Sequence, residues 1–120
     1  MAEQFDVVIV GGAVTGSVLA LALSSLSQHK MRIAIVEKQL PDYAQQGGFD
    51  ARSIALAQGS LQKIAQIRPL VGSALAEQIQ QMATPIQQIQ VSDLWHFGKT
   101  TLKASELNLA QLGVVVELAK

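Results

Sequence analysis

An apolar run that leads into a glycine-rich turn constrains this chain more than any other feature. Residues 7–10 read Val-Val-Ile-Val, with no alternation of apolar and polar side chains. Such a run is typical of a parallel strand buried on both faces. Gly11 permits a sharp turn, and the residues from about Val14 favour a helix directly afterwards. The stretch therefore predicts a strand-turn-helix unit whose helix points its positive amino end at the turn.

The turn matches the glycine pattern of dinucleotide-binding proteins at two of its three positions. Gly11 is the first glycine and Gly16 the third, where a missing side chain lets helix and strand approach closely. Ala13 occupies the second position, where the backbone normally passes close to a pyrophosphate. Its methyl group predicts a weakened but tolerated phosphate site, with added strain only if its φ is positive.

A second apolar strand and an acidic residue extend the pattern. Residues 32–36 predict a second strand, and Glu37 follows it, about 20 residues after Gly16. An acidic residue near this spacing accepts hydrogen bonds from a ribose 2′-hydroxyl. The alternative is a surface glutamate after an ordinary β-α-β unit. The succession of strand, turn, helix, strand and acid favours nucleotide binding.

Composition limits the other functions open to the chain. Its 120 residues, 49% of them hydrophobic, suffice for one domain with a core. The net charge is zero with no basic stripe, which argues against nucleic acid as a partner. Cysteine is absent, and His29 and His96 are far apart, so we expect no zinc site. The first residues lack a signal-peptide pattern, and no apolar run is long enough to span a bilayer; we expect a cytoplasmic protein and leave peripheral membrane contact open.

The remaining elements follow from periodicity and chain breakers. Residues 53–56 fit either a short extended piece or the start of a helix. Residues 95–97, Trp-His-Phe, fall at the tip of a predicted hairpin, where we expect the aromatic rings to pack on a neighbouring layer. The other predicted elements are a helix over 14–26, an exposed loop over 38–48, helices over 61–67 and 70–82, a strand over 86–92, a hairpin connection over 93–99 and a return strand over 100–103.

Two stretches carry a family resemblance. Residues 8–16, Val-Ile-Val-Gly-Gly-Ala-Val-Thr-Gly, together with Glu37, resemble the flavoprotein aromatic hydroxylases. Residues 48–57, Gly-Phe-Asp-Ala-Arg-Ser-Ile-Ala-Leu-Ala, are more specific and resemble the ubiquinone-pathway branch, above all the 2-octaprenyl-6-methoxyphenol hydroxylases. Residues 91–93 and 112–118 are also similar to that branch.

The resemblance implies an FAD-dependent monooxygenase that uses NAD(P)H and oxygen to hydroxylate a prenylated phenol in ubiquinone biosynthesis. Glu37 would bind the adenosine ribose of FAD, and the neighbouring Lys38 would also belong to the cofactor site. Arg52 would contact the flavin; the alternative for Arg52 is an ion pair with Asp50 or Glu37. The residues that would cradle the FAD pyrophosphate are Gly11, Gly12, Ala13, Val14, Thr15 and Gly16.

The resemblance also implies a fragment, because members of the family are much longer and their later motifs find no match. The expected fold class is α/β: a Rossmann-like FAD-binding β-α-β part over 1–83, the start of a substrate-domain β-hairpin over 84–104, and a return towards the FAD domain over 105–120. The fragment alone is expected to be inactive. Contact with the inner membrane or a ubiquinone-biosynthesis complex, and a homo-oligomer through exposed apolar surface, stay open. The alternatives are a non-catalytic α/β module and the NAD-binding domain of a dehydrogenase.

Overall fold

Two compact units make up the part of the chain that the structure, a computed structural model, describes: residues 2–39 and 52–117. The first unit takes its described residues from Met1–Phe49 and Ala65–Leu75, and the second from Asp50–Ile64 and Ala76–Lys120. The division into 1–83, 84–104 and 105–120 stays a prediction. Most of the loop predicted over 38–48 lies outside the described residues.

The first unit is a β-α-β arrangement. Strand β1 spans Val7–Val10, helix α1 spans Val14–Leu26, and strand β2 spans Ile33–Val36. The two strands pair in parallel, from Val7 opposite Ile33 to Val10 opposite Val36. Parallel strands need a crossover connection, and α1 supplies it. The described chain is thus mixed α/β with a Rossmann-like unit, which confirms the predicted fold class.

Two side chains form hydrogen bonds at the ends of this unit. The Asp6 carboxylate accepts a hydrogen bond from the Arg32 N–H at 2.8 Å, where both strands begin. The Ser25 hydroxyl, near the end of α1, accepts one from the Arg68 N–H at 2.9 Å. This bond attaches residues 65–75 to the helix, and Ile67 from that segment is buried.

The second unit is built around an antiparallel sheet of three strands in the order β3-β7-β4. Strand β3 spans Ser53–Ala57, β4 spans Thr84–Ile86, and β7 spans Gly113–Glu117. Val114, on the central strand, is fully buried and lies at the centre of the unit's core. Helix α2, Gln58–Ile64, follows β3 directly, and helix α3, Leu75–Met82, precedes β4.

A β-hairpin completes the second unit. Strand β5 spans Gln88–Ser92, β6 spans Lys99–Lys103, and they pair in antiparallel register. A short 3₁₀-helix, Ala104–Leu107, follows β6. The expectation that the aromatic tip packs on a neighbouring layer is wrong for the described structure, because Trp95 and Phe97 are 91% and 109% exposed.

Two predicted helices begin at other residues than expected. Helix α2 begins at Gln58 rather than Leu61, directly after β3 ends at Ala57. The Gln58 N–H, at the junction, donates to the Leu112 carbonyl at 2.9 Å, because the chain is still beside the segment that leads into β7. Helix α3 begins at Leu75 rather than residue 70, because Gly72 adopts a φ of +87°, which a right-handed helix does not allow. The strand predicted over 86–92 is divided between β4 and β5.

The structure also bears on membrane crossing. Over residues 2–39 and 52–117, none of the helices is both long and apolar enough to span a bilayer.

Candidate functional site

The glycine turn joins β1 to α1 at the carboxyl end of the parallel pair. The Gly11 N–H donates to the Val36 carbonyl at 2.8 Å, so the turn starts where the pairing with β2 ends. Gly11 has a φ of +105°, in a region of backbone conformation that residues other than glycine rarely adopt. A Cβ on Gly11 would meet no atom within 4 Å, so backbone conformation, not crowding, requires glycine here.

The third glycine of the pattern is required for a different reason. A Cβ placed on Gly16 would overlap the Gly11 carbonyl oxygen and lie 3.3 Å from the Ile9 side chain. The close approach of helix and strand that the sequence predicted is therefore confirmed. Ser17 strengthens it, since its hydroxyl donates to the Gly12 carbonyl at 2.8 Å. The sequence analysis missed Ser17, although a small hydroxyl residue directly after Gly16 was a usable signal.

The amino end of α1 is open to an anionic ligand. Ala13 is the N-cap residue, with an extended backbone at φ −73° and, among the described residues, no side-chain hydrogen bond that caps the helix. The first turn carries no acidic residue, and Val14 and Thr15 are exposed. Unpaired N–H groups and the positive end of the helix dipole suit phosphate oxygens. Because the φ of Ala13 is negative, the strained alternative for this residue is excluded.

Glu37 lies directly beside the turn. Its Oε2 accepts a hydrogen bond from the Gly12 N–H at 2.6 Å, although the two residues are 25 positions apart. Its Oε1 accepts another from the Gln39 N–H at 3.3 Å. The end of β2 thus brings the carboxylate to the glycine turn and holds both of its oxygens. The remaining lone pairs of the exposed carboxylate stay available to further donors.

These hydrogen bonds favour the ionised form of Glu37. The Gly12 N–H, followed by the Gln39 N–H, holds the pKa of the Glu37 carboxyl below its usual value, against a smaller opposing effect of burial. The group is therefore ionised at neutral pH and only accepts hydrogen bonds. An ionised acceptor suits the hydroxyls of an unmodified ribose and repels a 2′-phosphate.

The two predicted basic residues are placed differently. Lys38 follows Glu37 and is exposed in the first unit. Arg52 belongs to the second unit, where it is exposed one residue before β3. Its contact with a flavin stays a prediction, and Asp50, the partner in the alternative, lies outside the described residues.

Together the turn, the helix end and Glu37 present a cradle for a pyrophosphate with a ribose acceptor beside it. A Cβ on Gly12 would lie 3.3 Å from the Ile35 side chain and 3.4 Å from Glu37 Oε2, so this part of the cradle is tight. The residues fit the adenosine diphosphate half of a dinucleotide. Within the described ranges, no three His, Cys, Asp or Glu side chains are grouped to hold a metal ion.

No protein-family model matches the chain. The chain is similar to aerobic glycerol-3-phosphate dehydrogenases of Staphylococcus saprophyticus (41% identity over 66 residues, 55% of this chain and 11% of that protein), Staphylococcus haemolyticus (44% over 64 residues, 53% and 10%) and Staphylococcus aureus strain USA300 (38% over 66 residues, 55% and 11%). The chain thus spans about a tenth of the length of these curated relatives.

These similarities correct the resemblance inferred from the sequence. The prediction of a ubiquinone-pathway hydroxylase, and with it the monooxygenase activity, is wrong, because the relatives carry the name of a dehydrogenase. The reason is that a short run such as residues 48–57, or a glycine turn with an acidic residue after the next strand, does not specify the reaction. Of the stated alternatives, the NAD-binding domain of a dehydrogenase agrees better with these names as far as the reaction class is concerned. Hydroxylating monooxygenases and dehydrogenases are both classes of oxidoreductase.

Proposed function

We propose that this chain is the dinucleotide-binding part of a dehydrogenase and that the dinucleotide is FAD. The observation that carries the proposal is the 2.6 Å hydrogen bond between the Gly12 N–H and Glu37 Oε2. It places a fixed, ionised acceptor next to a glycine turn at the amino end of a helix. This combination supports recognition of a diphosphate and its ribose together.

Each part of the site has one task in this proposal. The N–H groups at the start of α1, near Val14 and Thr15, bind the pyrophosphate oxygens. Gly16 keeps the helix close enough to β1 for those groups to converge on the turn. Glu37 accepts hydrogen bonds from the adenosine ribose and orients that half of the ligand. When bound, the cofactor supplies the two-electron redox chemistry, for which the protein provides position and polarity.

The reaction proposed for the longer protein follows from the relatives. They are named aerobic glycerol-3-phosphate dehydrogenases, and we extend that name to this chain only as a proposal. Glycerol 3-phosphate is accordingly the proposed substrate. The described residues supply binding and orientation of the cofactor, and the proposal assigns them no role in the chemical step.

The choice of FAD over NAD continues the sequence-based prediction. Both cofactors contain the adenosine diphosphate half that this cradle fits. The geometry therefore supports binding of that shared half and does not choose between FAD and NAD. Titration distinguishes them. The purified chain is titrated with FAD, NAD⁺, ADP and adenosine 2′,5′-bisphosphate in one buffer, with binding followed by calorimetry and, for FAD, by flavin fluorescence.

We expect FAD and ADP to bind, FAD more tightly, and the 2′-phosphorylated ligand to bind much more weakly. The variant Glu37→Gln should bind FAD about tenfold or more weakly, because a neutral amide replaces the charged acceptor and hydrogen bonds to charged groups are the stronger ones. Glu77→Gln, the same change on α3, is the control and should bind as the wild type does. Preference for NAD⁺ over FAD would overturn the choice of cofactor. No binding of any adenosine diphosphate ligand would overturn the proposal and favour a non-catalytic α/β module.

A further inference from the structure

The Ser17 hydroxyl binds the backbone of the glycine turn from within helix α1. Its oxygen lies 2.8 Å from the Gly12 carbonyl oxygen and donates the proton of that hydrogen bond. Ser17 is half-buried in the first turn of α1, which begins at Val14. Helix formation does not explain a serine at this position, because alanine favours a helix more than serine does.

Both backbone polar groups of Gly12 are held by side chains. Its N–H donates to Glu37 Oε2 at 2.6 Å, and its carbonyl accepts from the Ser17 hydroxyl. The regular bonding of α1 begins one residue later, where the Ala13 carbonyl accepts from the Ser17 N–H at 2.9 Å. The Gly12 carbonyl therefore lies just outside the helix and is held by the Ser17 side chain.

The bond to Ser17 also fixes the direction of the next N–H group. The Gly12 carbonyl and the Ala13 N–H belong to one planar trans peptide, so they point in opposite directions. With the carbonyl turned towards Ser17, the Ala13 N–H points away from that side chain. Among the described residues no acceptor bonds this N–H, and Ala13 is exposed at the amino end of α1. The donor is thus open to a ligand oxygen.

The reverse orientation of this peptide would oppose the binding of an anion. A rotated peptide would present the Gly12 carbonyl oxygen, whose partial negative charge repels phosphate oxygens, and would turn the Ala13 N–H away. Gly11 and Gly12 precede the peptide and have no Cβ that would restrict its rotation. The restraint must therefore come from the partners of Gly12.

We propose that Ser17 is a positioning residue for the pyrophosphate, because its hydroxyl holds the peptide between Gly12 and Ala13 with the N–H side towards the ligand. Ser17 acts through the Gly12 carbonyl and does not itself contact the ligand. This role rests on the proposed function, to which it adds the residue that determines how the turn meets a diphosphate. Glu37 holds the other side of Gly12 and serves the ribose.

A ligand without a ribose separates the two roles. The full 120-residue chain and its variants are titrated with ADP and with inorganic pyrophosphate by calorimetry. Ser17→Ala should bind both ligands about fivefold more weakly, because one neutral hydrogen bond that orients the turn is lost. Glu37→Gln should weaken the binding of ADP and leave that of pyrophosphate undiminished. In amide spectra of the labelled chain, pyrophosphate should shift the Ala13 resonance of the wild type more than that of Ser17→Ala.

Two further variants test whether the hydroxyl itself is responsible. Ser17→Thr keeps a hydroxyl at this position and should bind both ligands as the wild type does. Ser27→Ala is the matched control at the other end of α1, where the Ser27 hydroxyl donates to the Ser24 carbonyl at 3.2 Å. It removes the same kind of hydrogen bond from the same unit and should leave the affinity for both ligands unchanged.

The possible failures are distinguishable. Equal affinities of Ser17→Ala and the wild type for pyrophosphate would refute the role of Ser17 and leave the cofactor proposal standing. The same would follow from a loss in Ser27→Ala as large as that in Ser17→Ala, or from weak binding by Ser17→Thr, since the effect would then come from folding or packing. A wild-type chain that binds neither ADP nor pyrophosphate would overturn both this role and the proposed function.

Discussion

Replacing Gly16 by alanine tests the packing on which the candidate site depends. The new Cβ would overlap the Gly11 carbonyl oxygen and lie 3.0 Å from the Gly11 carbonyl carbon. Carbon and oxygen atoms in contact are normally separated by about 3.3 Å or more, so the helix or the turn must move by roughly an ångström. Because the obstacle is backbone, no side-chain rotation can relieve it.

The expected magnitude combines two opposing effects. Overpacking a tight site costs about 1–3 kcal/mol, and a rigid backbone obstacle argues for the upper end of that range. Alanine is favoured over glycine inside a helix by about 1 kcal/mol. We therefore expect the first unit to lose about 2 kcal/mol of stability, roughly a thirtyfold change in its opening equilibrium. FAD affinity should fall by about tenfold or more, since the N–H groups of α1 no longer converge on the turn.

Amide hydrogen exchange of β1 and α1 measures the stability change in the unit concerned, and FAD titration measures the affinity. Gly59→Ala is the matched control, because a Cβ on Gly59 in α2 would meet nothing within 4 Å. That variant should stabilise α2 by up to about 1 kcal/mol, which slows amide exchange in this helix. It should leave FAD binding unchanged. If Gly16→Ala exchanged as slowly and bound FAD as tightly as the wild type, the close approach would not limit the site and our reasoning would be wrong.

Three further predictions concern the turn and the second unit. Because the pKa of the Glu37 carboxyl is lowered in the folded chain, its stabilisation is complete above its ordinary pKa and is lost as the pH falls through the lowered value; the Gly12 amide resonance should titrate with a midpoint below 4.5, and a midpoint above it would contradict the assignment. Ala13→Gly should change FAD affinity by less than about fivefold, because the φ of Ala13 is already unstrained; a larger change in a titration would show that the methyl obstructs the ligand. Gly113→Ala should destabilise the second unit by about 2 kcal/mol, because its Cβ would overlap the Leu56 carbonyl oxygen, and unchanged amide exchange in β7 would refute this.

Local signals predicted the elements of residues 7–36, although β1 is not buried on both faces as expected, since Val8 and Val10 are 56% and 86% exposed. The bounds of α1, Val14–Leu26, agree with the sequence analysis, because a glycine turn marks its start and a serine-rich run its end. The proximity of Glu37 to the turn also followed from spacing, since the carboxyl ends of β1 and β2 meet at one edge of a parallel pair. Such features depend on residues that are near in sequence.

The second unit was predicted less well, because its determinants are distant in sequence. Helix α2 starts at Gln58 through a backbone bond to Leu112, and no local pattern reveals that partner. The Gln111 side-chain amide bonds the side-chain oxygens of Gln58 and Gln80, each at 3.0 Å, and so joins three separate segments. The reaction class was wrong for a different reason, because the prediction rested on short runs such as residues 48–57, which do not specify a reaction.

The position of β7 has a consequence for the order in which the chain acquires structure during synthesis. This strand lies between β3 and β4, yet it is the last of the three to leave the ribosome. Its pairing spans the sequence from Ser53 to Glu117, whereas β1, α1 and β2 all lie within residues 7–36. Contacts between distant residues form slowly. The edges of β3 and β4 that pair with β7 therefore stay unpaired until residues 113–117 have been synthesised. Premature termination before residue 113 would leave the first unit able to form its pairing and the second without its central strand.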